Sequence, residues 1–204
     1  MNDDREVIIS RVRGALAPLT KRAAYPSYPD DVAATPAAAA ALSDPWKTFC
    51  ERVKLVNGVG IERIEDVVAF LKANQWLHGY CDPVLWPKFS TAFGSEFKVE
   101  TEYDRARIED YQFGITRAAG AVAETGTLIL WDGTTSRRLG ALTPWVHVAV
   151  LERKDLIPTT AQAVASMGGD PNIIWATGPS KTADVEGILI EGVHGPGRQI
   201  ALLV

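Results

Sequence analysis

Apolar residues recur at helical spacing in the first third of the chain and gather into short continuous runs in its second half. In "DDREVIISRVRGAL", Ile8, Val12 and Leu16 share one stripe with Ile9 beside them. This predicts an amphipathic helix capped by Asp3 or Asp4 and ended near Pro18. "SDPWKTFCERVKLVNG" predicts a second helix, with Ser43 or Asp44 as cap and Pro45 early. Phe49, Val53 and Val56 face inward there, and Asn57–Gly58 is the stop. "IERIEDVVAFLKANQ" (61–75) predicts a third, with Ile64, Val67, Val68 and Leu71 inward. The stretch 25–45 holds four prolines and an alanine run. Thr35 and Pro36 can start a short helix within it, marginal without packing. Residues 1–45 are therefore expected to form an arm, helical at its start, and 46–204 the main domain.

Beyond residue 95 the pattern changes. "EFKVET", "YQFGIT", "GTLILW", "WVHVAVL", "NIIWAT" and "RQIALLV" are each of strand length. "PTTAQAVASMG" (158–168) and "SKTADVEGILIEG" (180–192) are expected to be helices between the last three. Strand, helix, strand, helix, strand predicts an α/β fold with a parallel sheet, and the continuous apolar character of the strands predicts burial on both faces. One hairpin is expected, "TLILW" turning at Asp132–Gly133 and returning through "RRLGAL". The sheet is thus predicted to be mixed and mostly parallel.

Composition adds boundaries to this picture. A chain of 204 residues that is 47% hydrophobic and 23% charged can bury a core without disulfide or metal. The formal net charge of −4 argues against nucleic-acid binding through a basic face. Cys50 and Cys81 are the only cysteines, too few for an iron–sulfur cluster or an all-thiolate zinc site. They suit a reducing compartment. With no signal-peptide pattern at "MNDDREVIIS" and no run of about 18 apolar residues, a cytoplasmic protein without a membrane span is expected.

Candidate chemistry concentrates in three loops. In "ATGPSKTADVEG" a strand runs into Gly178 and a helix is predicted from Ser180, an arrangement that suits either a plain helix cap or an anion contact involving Lys181 and Thr182. It is not a P-loop, since GxxxxGK[ST] is absent. "EGVHGPGRQI" presents His194 and Arg198 around a glycine-rich turn whose order is not that of a dinucleotide fingerprint. His147, between Val146 and Val148, reads as a hydrogen-bonded core residue. His78 and Cys81 in "HGYC" are too weak a signal for a metal, and the six tryptophans read as core or interface.

The third loop, "FGITRAAGAVAETGT", packs Thr116, Arg117, Glu124, Thr125, Gly126 and Thr127 between two apolar strands. An ionised Glu124 in an apolar core must be hydrogen-bonded, paired, with Arg117 a candidate, or exposed in a pocket. As a site it would serve as general base or nucleophile, with Lys181 and Arg198 as anion contacts for a phosphosugar or acyl-CoA-like ligand. As a turn it would simply let the strand begin.

"GITRAAGAVAETGTLIL", "TPWVHVAVL", "GPSKTADVE" and "GVHGPGRQI", in this order and spacing, resemble the C-terminal half of the LUD domain. The likeness is strong over 100–204 and looser over 45–95. It implies a three-layer α/β/α sandwich of the class of ribose-5-phosphate isomerase and the CoA-transferases. It also implies a role in oxidising L-lactate to pyruvate, as an accessory subunit beside partner proteins that carry iron–sulfur clusters. No cofactor is expected on this chain alone, and a homo-oligomer could complete a site.

Overall fold

The structure is a computed structural model that describes residues 2–19, 43–131, 138–166, 172–183 and 188–204. The chain divides into two compact units, Met1–Thr35 and Pro36–Val204. In the first, α1 (Asn2–Leu16) forms as its spacing predicts, and Ile8, Val12 and Leu16 lie exposed along it. The short helix expected after Thr35 lies outside the described residues. No described helix is long and apolar enough to cross a membrane.

The second unit is built on a six-stranded sheet in which every pairing is parallel. Its strands are β1 (Val59–Ile61), β2 (His78–Cys81), β3 (Lys98–Glu100), β4 (Phe113–Arg117), β7 (Val146–Leu151) and β12 (Arg198–Leu203), in the spatial order β1-β12-β7-β4-β2-β3. Alternate side chains of the central strands point to opposite faces. Val146, Val148, Val150, Ile200 and Leu202 take one face and pack against Val67 and Leu71 of α3 (Ile64–Ala73) and Phe89 of α4 (Trp86–Phe89). Ala149, Leu151, Ala201 and Leu203 take the other, under Trp46, Phe49 and Val53 of α2 (Pro45–Leu55). Each fully buried large side chain contributes about 1.5–3 kcal/mol, so the two-sided apolar pattern of these strands commits the sheet to the middle layer.

On the α2 face, β5 (Gly120–Val122), β6 (Thr127–Trp131), β8 (Leu156–Ile157) and β9 (Ile173–Ala176) form a second sheet, ordered β8-β5-β6-β9. The three-layer arrangement is therefore present, with one outer layer shared between α2 and this small sheet. Among the described residues, antiparallel pairing is confined to the small sheet and to a two-stranded pair, β10 (Lys181–Ala183) with β11 (Leu189–Glu191).

The local expectations for α2 and α3 hold: Asp44 accepts a hydrogen bond from Lys47 N at 3.1 Å, Pro45 opens α2, and Asn57 at φ +66° stops it. Three expectations fail. "RRLGAL" does not return as a strand: Arg138–Leu142 is helix α5, and β6 pairs instead with β5 and β9. The turn at 132–133 lies outside the described residues.

Second, the described parts of 180–192 are not helical. Lys181–Ala183 and Leu189–Glu191 pair as the antiparallel strands β10 and β11, as suits the β-branched Thr182 and Ile190, which lose side-chain freedom in helices. Third, β9 is not part of the parallel sheet. β7 and β12 are neighbours, and β9 belongs to the small sheet beside α6 (Thr160–Ser166) in sequence. Strands β1 and β2 carry no sequence signal at three and four residues.

Candidate functional site

The most enclosed polar arrangement lies one residue in from the start of β7 and β12. The parallel register sets Gly114, His147 and Gln199 side by side on the α2 face. Gln199 Nε2 donates to His147 Nδ1 at 2.9 Å, and an amide nitrogen can only donate. His147 Nδ1 therefore carries no proton, and Nε2–H donates to Thr116 Oγ1 at 2.8 Å. His147 is 1% exposed and Gln199 3%. Burial pushes the imidazole down from its usual 6.5 to about 4, so it is neutral at physiological pH. Gly114 makes room on the same row: a Cβ there would sit 1.8 Å from the carbonyl oxygen of Gly140 in α5.

Over His147 and Gln199 lies a cavity of about 270 Å³, whose wall includes Thr177, Gly178, Ser180 and His194. Two loops share this wall. Ser180 N donates to Pro196 O at 2.9 Å and Ser180 O accepts from Gly192 N at 2.9 Å. Thr125, Thr127 and Thr177 form a ladder of hydroxyls, 2.7 Å at each step, that runs from the β5–β6 turn to this wall. The structure thus gathers Thr116, Thr125, Thr127, Gly178, Ser180 and His194 on or beside one cavity. It lies at the amino ends of β7 and β12, opposite to the carboxyl ends where open α/β sheets commonly bind ligands.

The other expected site residues go elsewhere. Glu124 Oε1 accepts from Thr160 N at 2.6 Å and so caps α6 from a neighbouring turn. It does not pair with Arg117, whose Nε donates to the buried Asp82 at 2.6 Å. Gly126, at φ +69°, lets α2 come close, because a Cβ there would lie 2.4 Å from Val53 N. Gly178, at φ +79°, does the same against Val56 O. Ser180 caps no helix, and Thr182 lies opposite Ile190 in the β10–β11 pair.

Lys181 Nζ donates to Val56 O at 3.0 Å and lies 3.6 Å from Glu191. Arg198 Nη1 reaches Glu191 at 3.4 Å and Gly197 O at 3.0 Å. Asn57 completes this cluster by donating to Glu191 at 2.7 Å, and that bond leads in holding the carboxyl below its ordinary range. Among the described cavities, none is lined by Glu124, Lys181 and His194 together.

His78 and Cys81 cannot act as a pair. In a strand, positions i and i+3 point to opposite faces. His78 Nε2 meets Glu100 at 2.9 Å, while Cys81 is buried and its thiol is pushed up to about 12 by that burial. No cluster of three or more His, Cys, Asp or Glu with metal-ligating geometry occurs among the described residues.

Gln199, Thr177 and the binding-side position of His147 escape sequence reasoning. The available signal was a coincidence of register: "WVHVAVL" carries His147, and "RQIALLV" carries Gln199 after Arg198, near the start of otherwise apolar strands. A second, more open cavity of about 520 Å³ adjoins the first, sharing Leu142, His194 and Gly195 with it. No Lys or Arg is among the described residues lining either cavity.

Residues 36–204 match the family model of the LUD domain. The chain belongs to the LUD domain family. A lactate utilization protein C from Bacillus licheniformis is 30% identical over 127 residues, covering 58% of this chain and 53% of the relative. Its counterpart from Deinococcus radiodurans is 32% identical over 110 residues, 52% of each chain. One from an Exiguobacterium species is 38% identical over 99 residues, 45% of this chain and 43% of that one. The chain thus spans about half the length of the curated relatives it matches. Among solved structures, a DUF162 family protein from Deinococcus radiodurans superposes with a TM-score of 0.54 at 22% identity, covering 78% of this chain and 96% of that one. The likeness establishes a shared fold.

Proposed function

We propose that this LUD domain is a component of a cytoplasmic system that oxidises L-lactate to pyruvate, as an accessory subunit beside iron–sulfur partner proteins. The observation that carries this reading is the family match over 36–204 together with relatives named lactate utilization protein C. Two features of the chain support the accessory role. Cys50 belongs to α2 and Cys81 to β2, in cores on opposite faces of the central sheet. Burial pushes their thiols up to about 11 and about 12, so both are protonated at neutral pH. Furthermore, a lactate carboxylate is best held by a cationic fork, and the described walls of the two adjoining cavities contain none.

Deleting the gene in its host is expected to impair growth on L-lactate and lactate-dependent pyruvate formation in extracts, while growth on glucose is unchanged. Normal lactate oxidation in a deletion strain with no second copy of the gene would overturn the reading. A phosphosugar or acyl-CoA-like ligand finds less support. Lys181 and Arg198, its expected anion contacts, are engaged with Glu191.

A further inference from the structure

The open cavity of about 520 Å³ is built unlike the inner one. Trp145 stands in its wall, 40% exposed although it is a large aromatic residue at the start of a buried strand. Its indole is seated on backbone. A Cβ at Gly192 would lie 2.2 Å from Trp145 Cζ3, and one at Gly197 would lie 2.4 Å from Cη2. Gly192 is also at φ +80°, a conformation that glycine adopts freely. Two side chains are thus absent where either would displace the ring, and the main chain is anchored by Arg198 N donating to Trp145 O at 3.0 Å. The indole is held in place before any ligand arrives, which lowers the entropic cost of using it as a platform.

Gln112 is fixed in the same way. Its Oε1 accepts from Leu77 N at 2.8 Å and His78 N at 3.1 Å, so its amide NH2 is the end left to donate in this cavity. Trp76 and the exposed Glu109 also line this cleft, with His194 at the boundary to the inner cavity. Arg107, whose guanidinium carbon lies 5.9 Å from the Tyr111 ring centre, does not alter the charge balance. It is engaged with Glu100, Asp104 and Asp110 and is not among the lining residues. Two lining tryptophans, whose ring faces carry negative potential, one lining acidic residue and no Lys or Arg among the described lining residues favour positive charge. The volume falls within the roughly 300–1,000 Å³ range of small-molecule sites.

We infer that this cleft is a binding site for a flat, cationic organic ring bearing a carbonyl group, stacked on Trp145 with the carbonyl accepting from Gln112. The inference goes beyond the lactate reading and does not depend on it.

A charge series on one ring tests it: 1-methylnicotinamide as cation, nicotinamide as neutral form and nicotinate as anion, titrated at pH 7 into the full chain. Dissociation constants and the indole N–H resonances are read by NMR. The cation is expected to shift the Trp145 indole resonance and to bind about tenfold more tightly than the anion. Trp145→Leu is expected to weaken cation binding about tenfold, and Glu109→Gln, at an exposed position, to narrow the gap between cation and anion. If Trp145→Leu loses native NMR dispersion, the Trp145 shift in the unmodified chain and the Glu109→Gln series decide the matter. Nicotinate binding as tightly as the cation, absence of any Trp145 shift, or a cation preference unchanged in Glu109→Gln overturns the proposal.

Discussion

His147 Nδ1 accepts a hydrogen bond from Gln199 Nε2 at 2.9 Å across two adjacent parallel strands, and this contact fixes which ring nitrogen carries the proton. Both residues are almost wholly buried. Replacing Gln199 by Leu leaves Nδ1 without a donor in the core. Such a buried unsatisfied group costs about 1–3 kcal/mol. Urea denaturation is expected to show a loss of that size, and 15N spectra of the imidazole a mixture of tautomers in place of one.

The same imidazole predicts a pH dependence. Its folded value of about 4 lies below the ordinary 6.5, so between these limits the unfolded chain binds a proton that the folded chain does not. The stabilisation is fully present above about pH 6.5 and is lost as the pH falls towards 4. A shift of this size corresponds to roughly 3 kcal/mol. Denaturation midpoints measured from pH 7 to 4 should fall more steeply for the unmodified chain than for His147→Gln, which has no titrating ring.

Glu100 predicts a loss in a lower window. It accepts from Arg107, Tyr111, Lys98 and His78, and the Arg107 bond leads in holding the carboxyl well below the usual range. Its contribution is present above the ordinary carboxylate value and disappears as the pH falls below it. Glu100→Gln keeps the shape and removes the charge. It is expected to lower stability by about 1–3 kcal/mol at pH 7 and to reduce the difference in stability between pH 7 and acid conditions.

Gly126 and Gly178 both combine positive φ with close approach to the backbone of the α2 region. Alanine at either position is expected to destabilise the chain by about 1–3 kcal/mol. Gly14, in the exposed α1, meets nothing within 4 Å. Gly14→Ala is therefore expected to raise helix content by favouring the helical backbone by up to about 1 kcal/mol. Thermal melts and far-UV circular dichroism separate the two classes.

Glu124 caps α6 through a single carboxylate oxygen. Glu124→Gln retains an acceptor there and is expected to support growth on L-lactate when it replaces the native gene. Glu124→Ala removes the acceptor and is expected to cost about 0.5–2 kcal/mol of stability. Loss of lactate growth in a stable Glu124→Gln protein would assign the carboxylate a chemical role instead of a structural one.

How far the sequence reached can be judged from single residues. Asp44, Pro45 and Asn57 framed α2 correctly because capping and stop signals act within four residues of chain. The burial of β7 and β12 on both faces was readable because their residues are almost continuously apolar. "SKTADVEGILIEG" was misread because its apolar residues fit helical and strand templates over so few positions. The polar positions of His147 and Gln199 were visible, and their partnership was not, since it depends on two strands 52 residues apart becoming neighbours in register.

The sequence by itself determined the α/β class, the apolar core strands, the helices α1, α2 and α3, and the four motifs of the LUD domain. The class, strands and helices follow from local propensity and from the period at which apolar residues recur; the motifs are carried by resemblance to the family. Tertiary structure alone decided that the described antiparallel pairing belongs to a separate small sheet and to the β10–β11 pair, and that Glu124 caps a helix. It also decided that Lys181 and Arg198 converge on Glu191, and that Thr116, Ser180 and His194 gather around a buried histidine. Strand order and register bring such residues together, and both are set by how the two faces of the central sheet are covered, which no single stretch of chain encodes.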